Sequence, residues 1–365
     1  MDPEDMDPAE GAGAPFAFTY RPAPARVTFG PGALRALPSL ADELGLSRVL
    51  VLSTPGRARL AATVAARLGA RCAGTWAGAR THVPVTVAAE ARAEAAARGA
   101  DACVAVGGGS ATGLAKALAL DPGLPYIAVP TSYAGSEMTP TWGLTEQGRK
   151  TTGKDPAVLA SAIVYDPELT YSLPTVDSVT SAMNAIAHAA EALYAPDTSP
   201  FVALLAEEGV RRIATALPAI AENPSAPAAR ADALYGAWLC GACLGATTMS
   251  LHHKLCHVLG GALDLPHAAT HTVVLPYALA FNAPAAQAQL LPLTRALSTH
   301  DAPAALQTLS RTLGAPRSLE ELGMKKSDIS RIAELTVAHP YANPRPLSFS
   351  DAESLLRRAY SGADA

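Results

Sequence analysis

Residues 102–110 read Ala102-Cys-Val-Ala-Val-Gly-Gly-Gly-Ser110. Five small apolar residues ending in glycine predict a strand buried on both faces. The glycines that follow it directly predict a tight turn into a helix over Ala111–Leu120. Working outward, Ser47–Thr54 reads as a short apolar strand closed by Pro55-Gly56, with a helix over Arg57–Leu68. Val85–Arg98 is alanine-rich and helical, and Pro125–Val129 is another strand, entering the loop Pro130–Ser136. Strands alternating with helices predict a mainly parallel sheet covered on both sides. From Thr175 onward β-branched strand patterns give way to alanine-rich helical ones. The chain therefore divides into an α/β domain over residues 15–174 and an all-helical domain over 175–365, with the boundary at the Ser172-Leu-Pro174 turn. Residues 1–14, acidic and rich in Gly and Pro, are expected to be a disordered tail.

The composition fits this division. A chain of 365 residues can build two cores. Hydrophobic residues make up 49% and charged residues 16%, which excludes a disordered chain. The net charge is −4, and the 28 basic residues are scattered, so no electrostatic footprint for nucleic acid is present. No apolar run reaches the ~18 residues of a membrane span, and the N-terminus lacks the apolar region of a signal peptide. Five cysteines are an odd number, which makes reduced thiols and a cytoplasmic location the expectation. Cys240-Gly-Ala-Cys243 has redox or zinc spacing, yet it sits in an apolar helical run with no second pair. Burial in helix packing is the better reading.

The Gly107-Gly108-Gly109-Ser110 loop lies at a strand's carboxyl end and opens a helix. Glycines let a pyrophosphate approach the backbone, and the helix start supplies N–H donors and partial positive charge. A second loop with Thr131, Ser132, Gly135 and Ser136 follows the next strand, so both loops fall on one ligand edge. The motif is not the six-residue Gly-x-Gly-x-x-Gly fingerprint. Thr54 stands at the end of the first strand read, where an acid would clasp a ribose 2′-hydroxyl. A neutral residue there weakens discrimination, so the cofactor is expected to be NADH or NADPH.

The second half carries His252-His-Lys-Leu-Cys-His257 and then His267, four of nine histidines within sixteen positions. His253 and His257 lie one helical turn apart on one face, and Asn184-Ala-Ile-Ala-His188 offers a polar pair at the same spacing. Imidazoles facing one cavity can ligate a metal, move a proton or donate to a developing oxyanion. A lone histidine on an apolar helix is usually a satisfied core residue. Matched spacings on two segments are poorly explained that way, although His252 alone and His271 fit packing well. Lys254 divides evenly between a solvated surface charge and a carboxylate-binding role. The segment cannot be a zinc-protease helix, because Lys254 stands where that motif needs its glutamate.

These segments resemble the iron-containing alcohol dehydrogenase superfamily and, within it, the maleylacetate reductase family. The resemblance runs from Phe29-Gly-Pro-Gly32 to Leu275–Asn282. The superfamily features are Gly-Gly-Gly-Ser, Pro130–Glu137 and the His-x-x-x-His…Pro-His arrangement. The branch features are Tyr133–Pro140, Trp142–Glu146, Lys150–Pro156, Met183–His188, Glu191–Pro196 and His252–His257. The resemblance implies a Rossmann-like nucleotide-binding domain and an all-α domain of the dehydroquinate synthase/iron-alcohol-dehydrogenase type, with the active site in the cleft between them. It also implies a homodimer, and NAD(P)H-dependent reduction of maleylacetate to 3-oxoadipate in aromatic-compound catabolism.

In metal-dependent members the four ligands fall where this chain has Asn184, His188, His253 and His267. An Asp normally holds the first place, and Asn removes the anion that offsets a divalent cation. Metal-free catalysis is therefore expected, with the four positions a vestigial site, although three histidines could still hold zinc or iron in an open site. By this reading His253 and His188 donate to an enolate oxygen, His257 delivers a proton, and Lys254, Tyr133 and Thr139 orient carboxylates. Asn184 and His267 touch substrate, and Lys150 stands near the cofactor. Two alternatives remain: a metal-dependent alcohol or aldehyde dehydrogenase, and a related reductase acting on another ketone or enone. Ala269 and Tyr277 depart from the reductase pattern beside the histidine cluster and leave the second open.

Overall fold

The computed structural model describes Phe18, Tyr20 and residues 26–147 and 149–365, with only the backbone of residues 149 and 150. The expectation of a tail over residues 1–14 lies outside the described residues. A six-stranded sheet organises the first half: β1 (Arg26–Phe29), β2 (Val49–Ser53), β3 (Cys72–Trp76), β4 (Ala102–Gly107), β5 (Tyr126–Pro130) and β8 (Ala162–Tyr165), in the order β1-β8-β5-β4-β2-β3. Every pairing is parallel. β2, β4, β5 and β8 are buried along their whole length, which is why they read as unbroken apolar runs. The strand that ends at Thr54 is thus the second in the chain, not the first. β1 and β3 are half-exposed edges whose mixed composition hides them in the sequence. β6 (Thr141–Glu146) and β7 (Arg149–Lys154) form a separate antiparallel hairpin.

Side chains alternate across the sheet. Val49, Val51, Val104 and Val129 face a cluster with α1 (Leu37–Glu43) and α2 (Ala58–Leu68). Leu50, Leu52, Cys103 and Ala105 face the other way, into a core shared with α3 (Val85–Ala97) and α4 (Gly109–Leu120). That second core continues without a break into α5 (Thr175–Leu193), α6 (Pro200–Glu222) and α7 (Pro227–Ala246) of the helical half. α5 is buried from Ser178 to Leu193 and serves as the central helix. α8 (Leu251–Leu263) and α9 (His267–Asn282) follow, then α10 (Leu291–Ala296), α11 (Ala302–Thr312), α12 (Ile329–Val337) and α13 (Phe349–Ser361). Among the described residues, no single helix is long and apolar enough to cross a membrane.

Two features fix one half against the other. Gly135 has φ +73°, and a Cβ there would come within 3.1 Å of Gly241 Cα on α7. Only two glycines allow that loop to touch the helix backbone. Arg230 on α7 is fully buried; it donates to Tyr133 Oη at 3.1 Å, Ser178 Oγ at 2.8 Å, Leu173 O at 2.9 Å and Pro224 O at 2.6 Å. One cation thereby ties the Thr131–Ser136 loop to the start of α5.

Candidate active site

Between the halves lies a cleft of about 600 Å³. The α/β half contributes Thr81, His82, Gly109, Ser110, Lys116, Ser132, Ser136 and Thr139; the helical half contributes Asn184, His188, His253, His257 and His267. The predicted imidazoles and the predicted loops therefore share one cavity.

On the α/β wall, β4 runs into Gly107 and α4 begins at Gly109, so the first N–H groups of the helix face the cleft at Gly109 and Ser110. A Cβ on Gly108 would sit 2.6 Å from Ser132 Oγ, so the two loops nest closely and a side chain there would turn the Ser132 hydroxyl away. Gly107 takes φ +150° and Thr131 N donates to its carbonyl at 3.0 Å. Gly107, Gly108 and Thr131 thus shape this edge without lining the cavity, and Thr54 does not line it either. The Lys150 side chain lies outside the described residues.

Lys116 was not expected here. It is 2% exposed, and its ammonium donates to Thr139 O at 2.8 Å, Thr139 Oγ1 at 2.8 Å and Thr141 O at 2.7 Å. Burial pulls its pKa down to about 7, against the opposing pull of buried Glu137. Thr139 is thus a ligand of Lys116 as well as a cleft residue. The available signal was the lone charge within an otherwise uncharged α4.

The helical wall is built on Glu191. This fully buried carboxylate accepts from the N–H groups of Ser250 at 2.9 Å, His252 at 2.7 Å and His253 at 3.3 Å. Those are orphan donors at the first turn of α8, capped here by a side chain from α5. His253 Nδ1 lies 2.7 Å from the same carboxylate. Burial alone would raise the pKa of Glu191, but the His253 hydrogen bond and the neighbouring histidines and amides bring it to about 2. An ionised carboxylate only accepts, so the His253 proton sits on Nδ1 and Nε2 faces outward. Neutral His253 presents a lone pair, and its imidazolium presents a donor with Glu191 as counter-ion.

Asn184 Oδ1, His188 Nδ1 and His253 Nε2 are all buried without a hydrogen-bond partner. Burial, reinforced by repulsion from His253 and the other histidines, holds His188 well below the usual imidazole pKa. The rings of His188 and His253 are 5.1 Å apart, and His267 and His271 are 4.3 Å apart. His271 is fully buried with neither ring nitrogen partnered. Among the described residues, the ring nitrogens of His252, His253 and His271 fall within 4.8 Å of one another. His252 Nε2 lies 2.9 Å from the His271 carbonyl, however, so it is already engaged. In donor type, Asn184, His188, His253 and His267 suit a divalent cation: three imidazoles and an amide oxygen, with Glu191 behind one of them.

Two expectations are corrected. Tyr133 is fully buried, does not line the cleft, and its hydroxyl accepts from Arg230, so it ties its loop to α7. Lys254 does not line the cleft; its ammonium lies 6.0 Å from the Tyr341 ring. Adjacent residues on a helix point about 100° apart, so the neighbour of His253 turns away from the cavity.

The family model described as iron-containing alcohol dehydrogenase matches residues 24–167, and that described as Fe-containing alcohol dehydrogenase family, C-terminal, matches residues 178–360. The chain is 52% identical over 346 residues to a maleylacetate reductase of Burkholderia cepacia, covering 95% of this chain and 98% of that one. It superimposes on the crystal structure of maleylacetate reductase from Agrobacterium tumefaciens with TM-score 0.92 at 48% identity, covering 96% and 99% of the two chains. The maleylacetate reductase structure from Rhizobium sp. strain MTP-10005 gives 0.91 at 49% identity, with the same coverage.

Proposed function

Because the chain belongs to the iron-containing alcohol dehydrogenase family, and its relatives at about half identity are maleylacetate reductases, we propose that it reduces the conjugated C=C bond of maleylacetate to give 3-oxoadipate. It is an oxidoreductase. The observation that carries the mechanism is the set of buried, unpartnered atoms Asn184 Oδ1, His188 Nδ1 and His253 Nε2 on residues that line the cleft. Unpartnered buried polar atoms are costly; a substrate oxygen would satisfy a ring N–H of His188 or His253, whereas Asn184 Oδ1 only accepts and calls for a proton donor or a cation.

Gly109, Ser110, Ser132 and Ser136 would hold NADH or NADPH, which would supply a hydride to the alkene carbon β to the ketone. The charge moves onto the ketone oxygen, which needs a donor in a water-poor site. His253, protonated on Nε2 and balanced by Glu191, fills that role, with His188 beside it. His257, one turn along α8, returns a proton to the enolate carbon, and hydride plus proton complete the saturated bond. Thr139 and Asn184 position the substrate, and His267 closes the far wall. The neutral residue Asn184 supports catalysis without a resident metal. A second reading rests on the same unpartnered atoms: Asn184, His188, His253 and His267 would hold a divalent cation, which would polarise the ketone oxygen. We also retain a two-domain division at residue 174, a homodimer and a cytoplasmic role in aromatic catabolism as parts of this reading.

The test is NADH oxidation with freshly prepared maleylacetate, using protein dialysed against EDTA and assayed for metal by mass spectrometry. Turnover by metal-free protein is expected. Activity that appears only after iron or zinc is restored would establish the second reading. Inactivity in both states would move the enzyme to another enone or ketone.

A further inference from the structure

Beside His257 a second cavity of about 520 Å³ adjoins the cleft, lined by Thr81, His82 and Thr145 from one half and by His257, Gly261 and Asp264 among others from the second. His82, His257 and His267 line both cavities and mark their junction. We propose that this second cavity seats one carboxylate of a dicarboxylate substrate and that His82 is the group that recognises it. The inference rests on the reductase reading above and adds where the remote end of the substrate goes.

Three observations carry it. The first is where the cations lie. Among the described residues no arginine lines either cavity, the buried Lys116 already serves three protein oxygens, and the other lysine of the main cleft, Lys154 on β7, does not line the second cavity. A carboxylate in the second cavity must therefore find its donors at the junction, where imidazoles from both halves meet.

The second is a carboxylate already beside His82. Its Nε2 lies 3.4 Å from Asp264 Oδ1 across the seam, and the Asp264 side chain is 90% exposed. An exposed acid in that position is easily displaced by a substrate carboxylate. The loop that aims the ring is strained: His82 and Val83 take φ +62° and +46°, and left-handed backbone is a rare state for a β-branched residue. Thr145 holds the strained loop, donating from N to Val83 O at 3.1 Å and from Oγ1 to His82 O at 2.8 Å.

The third is unused room. Gly260 and Gly261 both lie within α8, where glycine costs about 1 kcal/mol relative to alanine. A Cβ at either would meet nothing within 4 Å, so packing within the chain does not require glycine there. Gly261 continues the His253–His257 stripe by one more turn. The space it leaves open belongs to the cavity.

The experiment measures steady-state kinetics with maleylacetate, together with calorimetric binding of adipate and of monomethyl adipate to the protein with NAD+ bound. His82→Asn suits the left-handed backbone but is too short to reach the cavity. It should raise KM and the adipate Kd roughly tenfold to a hundredfold, the scale of one charge-assisted hydrogen bond, and leave kcat and NADH affinity within about threefold. Gly261→Leu should raise KM similarly without lowering Tm. Asp264→Ala should lower KM or leave it unchanged. In wild type, monomethyl adipate should bind more weakly than adipate, and that difference should vanish in His82→Asn. Unchanged KM and adipate Kd in both His82→Asn and Gly261→Leu would overturn the subsite. So would an equal rise in KM in Asp264→Ala, which would make the His82–Asp264 contact a latch between domains. If wild-type protein fails to reduce maleylacetate, the reductase reading fails on its own, while the adipate measurements still decide whether the cavity binds a dicarboxylate.

Discussion

Lys116 and Glu191 are both buried charges, one in each half, and each gathers the polar groups of a neighbouring segment. Lys116 gathers three oxygens from the segment that leads into β6. Glu191 gathers three backbone N–H groups and a ring nitrogen at the start of α8. Burial works against both charges, but the outcomes differ. Glu191 sits at a helix start beside histidines, and these partners overcome burial and hold it ionised down to about 2. Lys116 meets only neutral oxygens, with Glu137 more remote, so burial prevails and its pKa falls to about 7. A carboxylate that caps a helix is a firm anchor at neutral pH; a lysine among carbonyls is an adjustable one.

The sharpest way to break the comparison is Glu191→Ala. It strands three amides and unseats His253, so a loss of about 3–5 kcal/mol in denaturant unfolding and at least a hundredfold in kcat is expected. Glu191→Gln should fold and lose less stability, which isolates the charge. The depressed pKa of Glu191 gives wild type a contribution that is complete above the unfolded value near 4.5 and is lost as pH falls toward about 2. That acid-limb slope should be missing in Glu191→Gln.

Next in size is Gly241→Ala. Its Cβ would lie 3.0 Å from Gly135 Cα, and the overpacking should cost about 1–3 kcal/mol. NADH affinity should weaken with it, because the displaced loop carries Ser132 and Ser136.

Lys116→Met should change stability at pH 7 by less than about 1 kcal/mol, since lost hydrogen bonds and relieved burial oppose each other. Its signature is the alkaline limb. The unfolded lysine keeps its proton to about 10.5 and the folded one releases it near 7, so this group makes wild type more stable as pH rises between those values. Chemical denaturation across pH 7–10 should show that slope in wild type and not in the variant. The smallest effect expected is Ser110→Ala, about a twofold to fivefold rise in the NADH Kd by fluorescence titration, because the backbone N–H groups of α4 remain.

The same contrast explains what could be read beforehand. Buried parallel strands announce themselves as apolar runs when they are long enough, so β2, β4 and β5 were visible; β8, equally buried but four residues long, was missed, and β1 and β3 sit at edges with glycine and polar residues among them. The β6–β7 hairpin was visible only as a motif, because its half-exposed residues show no buried face. His253 and His257 were legible because helical spacing places them on one face. Glu191 stood within a recognised motif without a role, since its partners lie some sixty residues away. Lys116 was hidden by its neighbours, and Tyr133 was misassigned because a loop sequence does not reveal which way a ring turns.

The core that passes unbroken from β2 and β4 into α5–α7 has a thermodynamic consequence. The cleft looks like a seam, yet the apolar packing beneath it belongs to both halves at once, and Arg230 stitches the same ground. Neither half then has a separate melting point: heat or urea should take the whole chain apart in one cooperative step, and a protease cut near residue 174 should release no stable fragment.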